Sequence, residues 1–131
     1  GTVTSNYSDE RLKDVIEELD TEKALNAVCR WRKVRYTANQ LANDLSGYDT
    51  SKIEVGLLAN EIANDYPELI TTAPFDAADD DDGTSISGED YKTLSYERLV
   101  AIQAAAIEAL NDKVNAQQSQ INDILEKLKK T

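Results

Sequence analysis

Residues 100–128, VAIQAAAIEALNDKVNAQQSQINDILEKL, decide the architecture of this chain. With Val100 at position a of a heptad, Val100, Gln103, Ile107, Leu110, Val114, Gln117, Ile121, Ile124 and Leu128 fall on one stripe, an unbroken a/d register over about four heptads. A helix lying on its own domain needs a broader apolar face. Here the far half, Asn111 to Thr131, is polar everywhere outside the stripe except at Leu125. So narrow a stripe suits a coiled-coil seam. β-Branched residues at both a and d lean toward three strands, and Gln117 within the seam fixes register. The expectation is a parallel homotrimer.

Working back from that helix, which should open at Tyr96, Tyr91–Ser95 reads as a short strand. Ahead of it lies a polar stretch, Asp76–Gly88, with consecutive aspartates at Asp79–Asp82. Calcium ligands would alternate and close on a glutamate, so this run reads as a solvated acidic loop. Leu58–Tyr66 has helical character and stops at Pro67, with Glu68–Thr72 extended beyond it. Ile53–Leu57 is β-like, and Gly56 within it implies a bend or a close backbone approach. Asn39–Thr50 is polar and reads as a surface loop. Trp31 to Ala38 alternates with a period of two and a strongly basic character, the pattern of a strand. Thr21, as N-cap, opens a short helix running to about Val28. Leu12, Val15, Ile16 and Leu19 have the apolar spacing of another helix. The fold class expected is α+β, a small mixed domain followed by the long C-terminal helix in a trimeric coiled coil.

The chain has 131 residues, enough for one small domain with an appended helix. A net charge of −11 repels nucleic-acid phosphates and anionic membrane surfaces, so neither is expected as a partner. There is no histidine, which removes the usual zinc sites and the thiolate–imidazole pair, and no metal or other cofactor is expected. The single cysteine, Cys29, has no intrachain partner and reads as a small buried hydrophobe. Arg30, Arg32, Lys33 and Arg35 are expected to pair with the excess carboxylates. Trp31, Tyr91 and Tyr96 are expected in the core or at the trimer interface. With no membrane span or signal peptide in view, a soluble protein maturing in a reducing compartment is expected.

Without histidine, lysine is the ordinary base left to activate a serine. Ser8-Asp9-Glu10-Arg11-Leu12-Lys13 offers such a pair. On the hexapeptide alone Ser8 reads as an N-cap with acids in the first turn. In a continuous helix residues i and i+5 stand apart around the axis. Pairing therefore needs Ser8 outside the helix, or a lysine reaching a neighbouring chain.

Three blocks together resemble the endosialidase-type C-terminal intramolecular chaperone domain of phage tail spikes, tail fibres and neck appendages. They are Ser8–Lys13, then Val55-Gly56-Leu57-Leu58-Ala59-Asn60-Glu61-Ile62 with Tyr66-Pro67-Glu68-Leu69-Ile70, then Tyr91-Lys92-Thr93-Leu94-Ser95-Tyr96-Glu97-Arg98-Leu99. Asn60 stands where relatives often carry glutamine. The resemblance implies a domain that trimerises and helps fold a β-structured fibre ahead of it, then cuts itself off at Tyr7–Ser8. It assigns Ser8 as nucleophile and Lys13 as base in a single-turnover serine peptidase. It divides the chain into the end of an upstream fibre (1–7), the chaperone and self-cleavage domain (8–98) and the coiled-coil helix (99–131). Its partners are the homotrimer and the upstream segment of the same precursor, in host cytoplasm during virion assembly.

As a base, lysine must first be neutral, which calls for desolvation or a nearby cation such as Arg11. Asp9, Glu10 and Asp14 oppose that. Cleavage gated by trimer assembly follows as an expectation. A second reading keeps a trimerisation and folding module without catalysis. A third, an acidic adaptor domain, would go with a monomer.

Overall fold

The computed structural model describes residues 7–78 and 84–131. Eight short or long elements carry the fold in chain order: α1 (Thr21–Arg30), β1 (Val34–Tyr36), α2 (Gln40–Ser46), β2 (Glu54–Gly56), α3 (Ala59–Ala63), β3 (Ile70–Thr72), β4 (Lys92–Leu94) and α4 (Tyr96–Lys129). Single 3-10 turns lie at Glu10–Leu12, Pro67–Leu69 and Pro74–Asp76. The mixed helix and strand class expected from the sequence is the one observed.

The long helix begins where Ser95 takes an extended conformation and its Oγ accepts from the Arg98 amide. Its first half packs on α1. Ala24 and Ala27 of α1 join Leu99, Ile102, Ala105 and Ala106 of α4 in one buried cluster, and Ala109 is buried as well. Small side chains on both helices let their axes approach closely. Trp31, Ile62, Tyr66 and Leu69 complete the core. Trp31 and Tyr66 meet edge to face at 6.0 Å, a favoured aromatic geometry. A salt bridge from Lys113 to Glu22 (3.4 Å) marks where α4 leaves α1. From Leu110 onward every residue of the helix is exposed.

Two antiparallel ribbons flank this core. β1 pairs with β2 in the register Val34↔Gly56, Arg35↔Val55 and Tyr36↔Glu54. β3 pairs with β4 as Ile70↔Leu94, Thr71↔Thr93 and Thr72↔Lys92. Gly56 is the close approach foreseen: an added Cβ would stand 3.0 Å from the Tyr96 hydroxyl.

Several expectations need correction. Residues 13–20 form no helix; they run as an exposed arm with Val15 and Ile16 at 77% and 96% exposure. A helix there would set Asp14 against Glu18 and Glu17 against Asp20 at like-charge i, i+4 and i, i+3 spacings. So short a helix without tertiary support does not form in water. α1 is capped by Asp20, which accepts from the Lys23 amide at 3.1 Å, rather than by Thr21. The basic strand is shorter than its alternation implied, because Trp31 terminates α1 and is buried. The polar stretch after it contains α2, opened by Asn39 and closed by Gly47 at φ 70°. Cys29 is exposed, since α1 buries the opposite face through Ala24 and Ala27.

The aspartate run 79–82 lies outside the described residues. Next to it, Asp76 is almost fully buried (2% exposed) and organises the loop. Its carboxylate accepts from Ser85 Oγ (2.6 Å), the Ser87 amide (2.8 Å) and the Tyr91 amide (3.1 Å). The Ser85 hydroxyl foremost, then the Ser87 and Tyr91 bonds, hold its pKa down to about 2, against the opposing effect of burial.

Candidate functional site

The first block folds as a tight turn of its own. Asp9, not Ser8, caps it: at φ −74° and ψ 125° its carboxylate accepts from the Arg11 amide at 2.9 Å. The Leu12 amide bonds the Asp9 carbonyl and the Lys13 amide the Glu10 carbonyl, at 3.0 and 3.1 Å. The turn therefore ends after one 3-10 repeat, and Lys13 is extended at φ −127° and ψ 139°. That departure from helical geometry brings the two ends of the hexapeptide together. Lys13 Nζ lies 3.2 Å from Ser8 Oγ within the same chain and donates to it. The i, i+5 difficulty is thus resolved by placing Ser8 ahead of the turn and Lys13 beyond it.

Charge around this pair is already committed. Arg11 makes a bidentate pair with Asp9, at 2.6 Å from Nη2 to Oδ2 and 3.0 Å from Nε to Oδ1. This pairing lowers the Asp9 pKa and raises that of Arg11. Arg11 is consequently engaged with Asp9 rather than free to act on Lys13. Tyr7, Ser8 and Lys13 are all exposed to solvent in the single chain.

The second and third blocks lie elsewhere and build the scaffold. Glu61 accepts from the Arg32 amide (3.0 Å) and Arg32 Nε (2.6 Å), which lowers its pKa through the backbone and then the side-chain bond. Asp65 accepts from both Arg30 terminal nitrogens and from Trp31 Nε1 at 2.9 Å. These bonds clamp the end of α1 to α3, and Arg30 and Arg32 pair as foreseen. Lys33 instead donates to the Val28 carbonyl. Arg35 has no such partner among the described residues. Tyr66 is buried beneath Lys23, whose Nζ lies 4.6 Å from the ring centroid. Burial first, then Asp65 and other nearby carboxylates, raises its pKa. Leu69 is buried and its carbonyl accepts from the Ser95 amide at 2.8 Å, joining the second block to the third. Of the aromatics, Tyr91 stacks at a tilt on Phe75, 5.9 Å between centroids, while Tyr96 is 55% exposed.

The expected seam on α4 is open. Val100, Ile107, Leu110, Val114, Ile121, Ile124 and Leu128 are each about half exposed or more. The stripe lies roughly 110° around the helix from the face that packs on α1, at 3.6 residues per turn. Burying one face therefore leaves the other uncovered. Among the described residues no cluster of three acids or cysteines is placed to hold a metal, and no helix is long and apolar enough to cross a membrane.

A peptidase family model described as the chaperone of endosialidase matches residues 8–71, beginning at Ser8. The first two blocks lie within the match and the third beyond it. No curated protein matches the chain.

Proposed function

From the premise that residues 8–71 belong to the endosialidase chaperone family, we propose an intramolecular chaperone that trimerises, assists folding of an upstream β-structured phage fibre or spike, and releases itself by cutting Tyr7–Ser8. The observation that carries this reading is the 3.2 Å approach of Lys13 Nζ to Ser8 Oγ, immediately beside the bond to be cut. In this scheme 1–7 ends the fibre, 8–98 is the chaperone and cleavage domain and 99–131 is the coiled-coil helix. Assembly takes place in the host cytoplasm.

Neutral Lys13 takes the Ser8 hydroxyl proton as Oγ attacks the Tyr7 carbonyl carbon. The Tyr7–Ser8 C–N bond then breaks, the amide nitrogen receives that proton, and Tyr7 is left as an ester on Ser8. Water hydrolyses the ester, giving a Tyr7 carboxylate and a free Ser8 amine and hydroxyl. Lys13 is exposed in the single chain, and cleavage waits for assembly to desolvate it.

Joining three chains at their C-terminal helices raises the local concentration of the fibre strands, whose distant pairings are slow to form. Removing the clamp afterwards leaves the fibre behind a kinetic barrier. The test is a precursor carrying its native upstream segment, followed by intact mass and sedimentation. A released fragment beginning at Ser8, lost in both Ser8→Ala and Lys13→Ala, is expected. A precursor that trimerises and stays whole sinks the peptidase half and leaves a non-catalytic folding module.

A further inference from the structure

Residues 14–19 are exposed and belong to no helix or strand, and β1, bonded to β2 on one side, has one open edge among the described residues. In an extended chain Asp14, Ile16 and Glu18 share one face, and Ile16 is almost wholly exposed. On the ribbon, Arg35 lies opposite Val55 and so on the same face. Alternation adds Lys33 and Ile53 to that face. Val55 and Ile53 are 76% and 58% exposed. Beside them an open cleft of about 390 Å³ is lined by Arg35, Tyr36, Thr37 and Ile53.

The two surfaces match in charge and in apolar pattern. One presents acid, isoleucine, acid; the other presents Arg35 beside valine and isoleucine, with Lys33, whose amine bonds the Val28 carbonyl in the single chain, at its end. We propose that residues 14–19 of one copy add as a third strand to the open edge of β1 in a second copy of this chain. Main-chain bonds supply the adhesion, as in strand addition to an exposed edge. With Ile16 across from Arg35, Asp14 and Glu18 stand one position to either side, on the diagonals a long side chain spans. The occupant is a second copy because its complementary charge is carried by this chain's own arm.

This inference rests on the trimeric reading above and adds what that reading lacks, a contact that reaches the cleavage turn. Lys13 directly precedes the arm. Fixing residue 14 onward against a neighbour removes water and motion from the Ser8–Lys13 turn at the moment of assembly. That gives the gate a physical cause.

The experiment is a charge-reversal cycle on the full chain, read by sedimentation equilibrium. Asp14→Lys with Glu18→Lys should weaken association about tenfold, as should Lys33→Glu with Arg35→Glu. All four together should restore most of it, because coupling of this sign needs the groups to be in contact. Hydrogen exchange gives the second readout: amides 14–18 should be protected in the assembled protein and lose protection on dilution. Ile16→Cys and Arg35→Cys chains, both carrying Cys29→Ala, should form a mixed disulfide after mixing. A parent that assembles but shows no coupling, no protection and no mixed disulfide overturns the arm contact alone. Coupling that persists at dilutions where the chain is a monomer overturns it in favour of the arm folding onto its own ribbon. A parent that stays monomeric at high concentration overturns the trimeric reading itself.

Discussion

Leu99–Ala109 and Val114–Leu128 lie on one unbroken helix, yet the first stretch buries alanines against α1 while the second is exposed along its whole length. The first is anchored by a core that includes Ile62, Tyr66 and Leu69. The second, among the described residues, is held by bonds within the helix and repeats a narrow apolar stripe. The same division separates the other end of the chain. Asp20 begins the packed domain, and the eight residues before it stand in solvent with apolar side chains exposed. On the trimeric reading stability and association fall to different residues, and mutations in the two regions should have different readouts.

The largest effect should follow from removing residues 114–131. Association, and with it cleavage of a precursor, should fall at least about 100-fold, since the gain from tethered chains is lost. The thermal midpoint of the dilute chain should barely move, because the α1–α4 contact reaches no further than the Lys113–Glu22 salt bridge. Assembly surviving that truncation would break the comparison.

Next in size is Ile62→Ala, which should destabilise the domain by about 3 kcal/mol in a urea titration, from lost burial and the cavity left behind. Ile121→Ala, an equal loss of side chain, should leave that titration unchanged at low concentration and shift only the association constant.

Asp76 sharpens the picture at the loop. Its folded pKa, about 2, lies below the ordinary value of 3.8. The carboxylate therefore stabilises the fold above about pH 4, and the contribution is lost as pH falls toward 2. Asp76→Asn should lower the thermal midpoint by several degrees at pH 7 and flatten the acid limb between pH 4 and 2.

The smallest effect belongs to Gly47→Ala. Nothing lies within 4 Å of the added methyl, so only its left-handed backbone, φ 70°, is strained. The midpoint in urea should report about 1 kcal/mol.

What could be read in advance follows the range of the forces involved. The long helix, its stripe and the four extended segments were legible because periodicity acts over a few residues, though not which segments pair, and α3 ends at Ala63, ahead of the expected stop at Pro67. α2 was equally local: Asn39 and Gly47 are a cap pair, and the polarity of the segment between them hid it. The arm was misread because the 3.6 spacing of Leu12, Val15, Ile16 and Leu19 says nothing of what would cover them. Asp76 was out of reach, since its partners Ser85, Ser87 and Tyr91 come from a loop whose closure no pattern announces. Ser8 and Lys13 were named from residue type, but their meeting depends on Asp9 capping a single turn.

The angle between the two faces of α4 has one more consequence. A bundle joined along the stripe holds each globular head to the side of its own helix, never across the axis. On the trimeric reading three such heads would form a collar whose rim is set by rotation about the shaft, so a one-residue insertion between Ala109 and Val114 would swing every head by about 100°, carrying Val100, Gln103 and Ile107 off the seam and leaving Val114 to Leu128 to hold it.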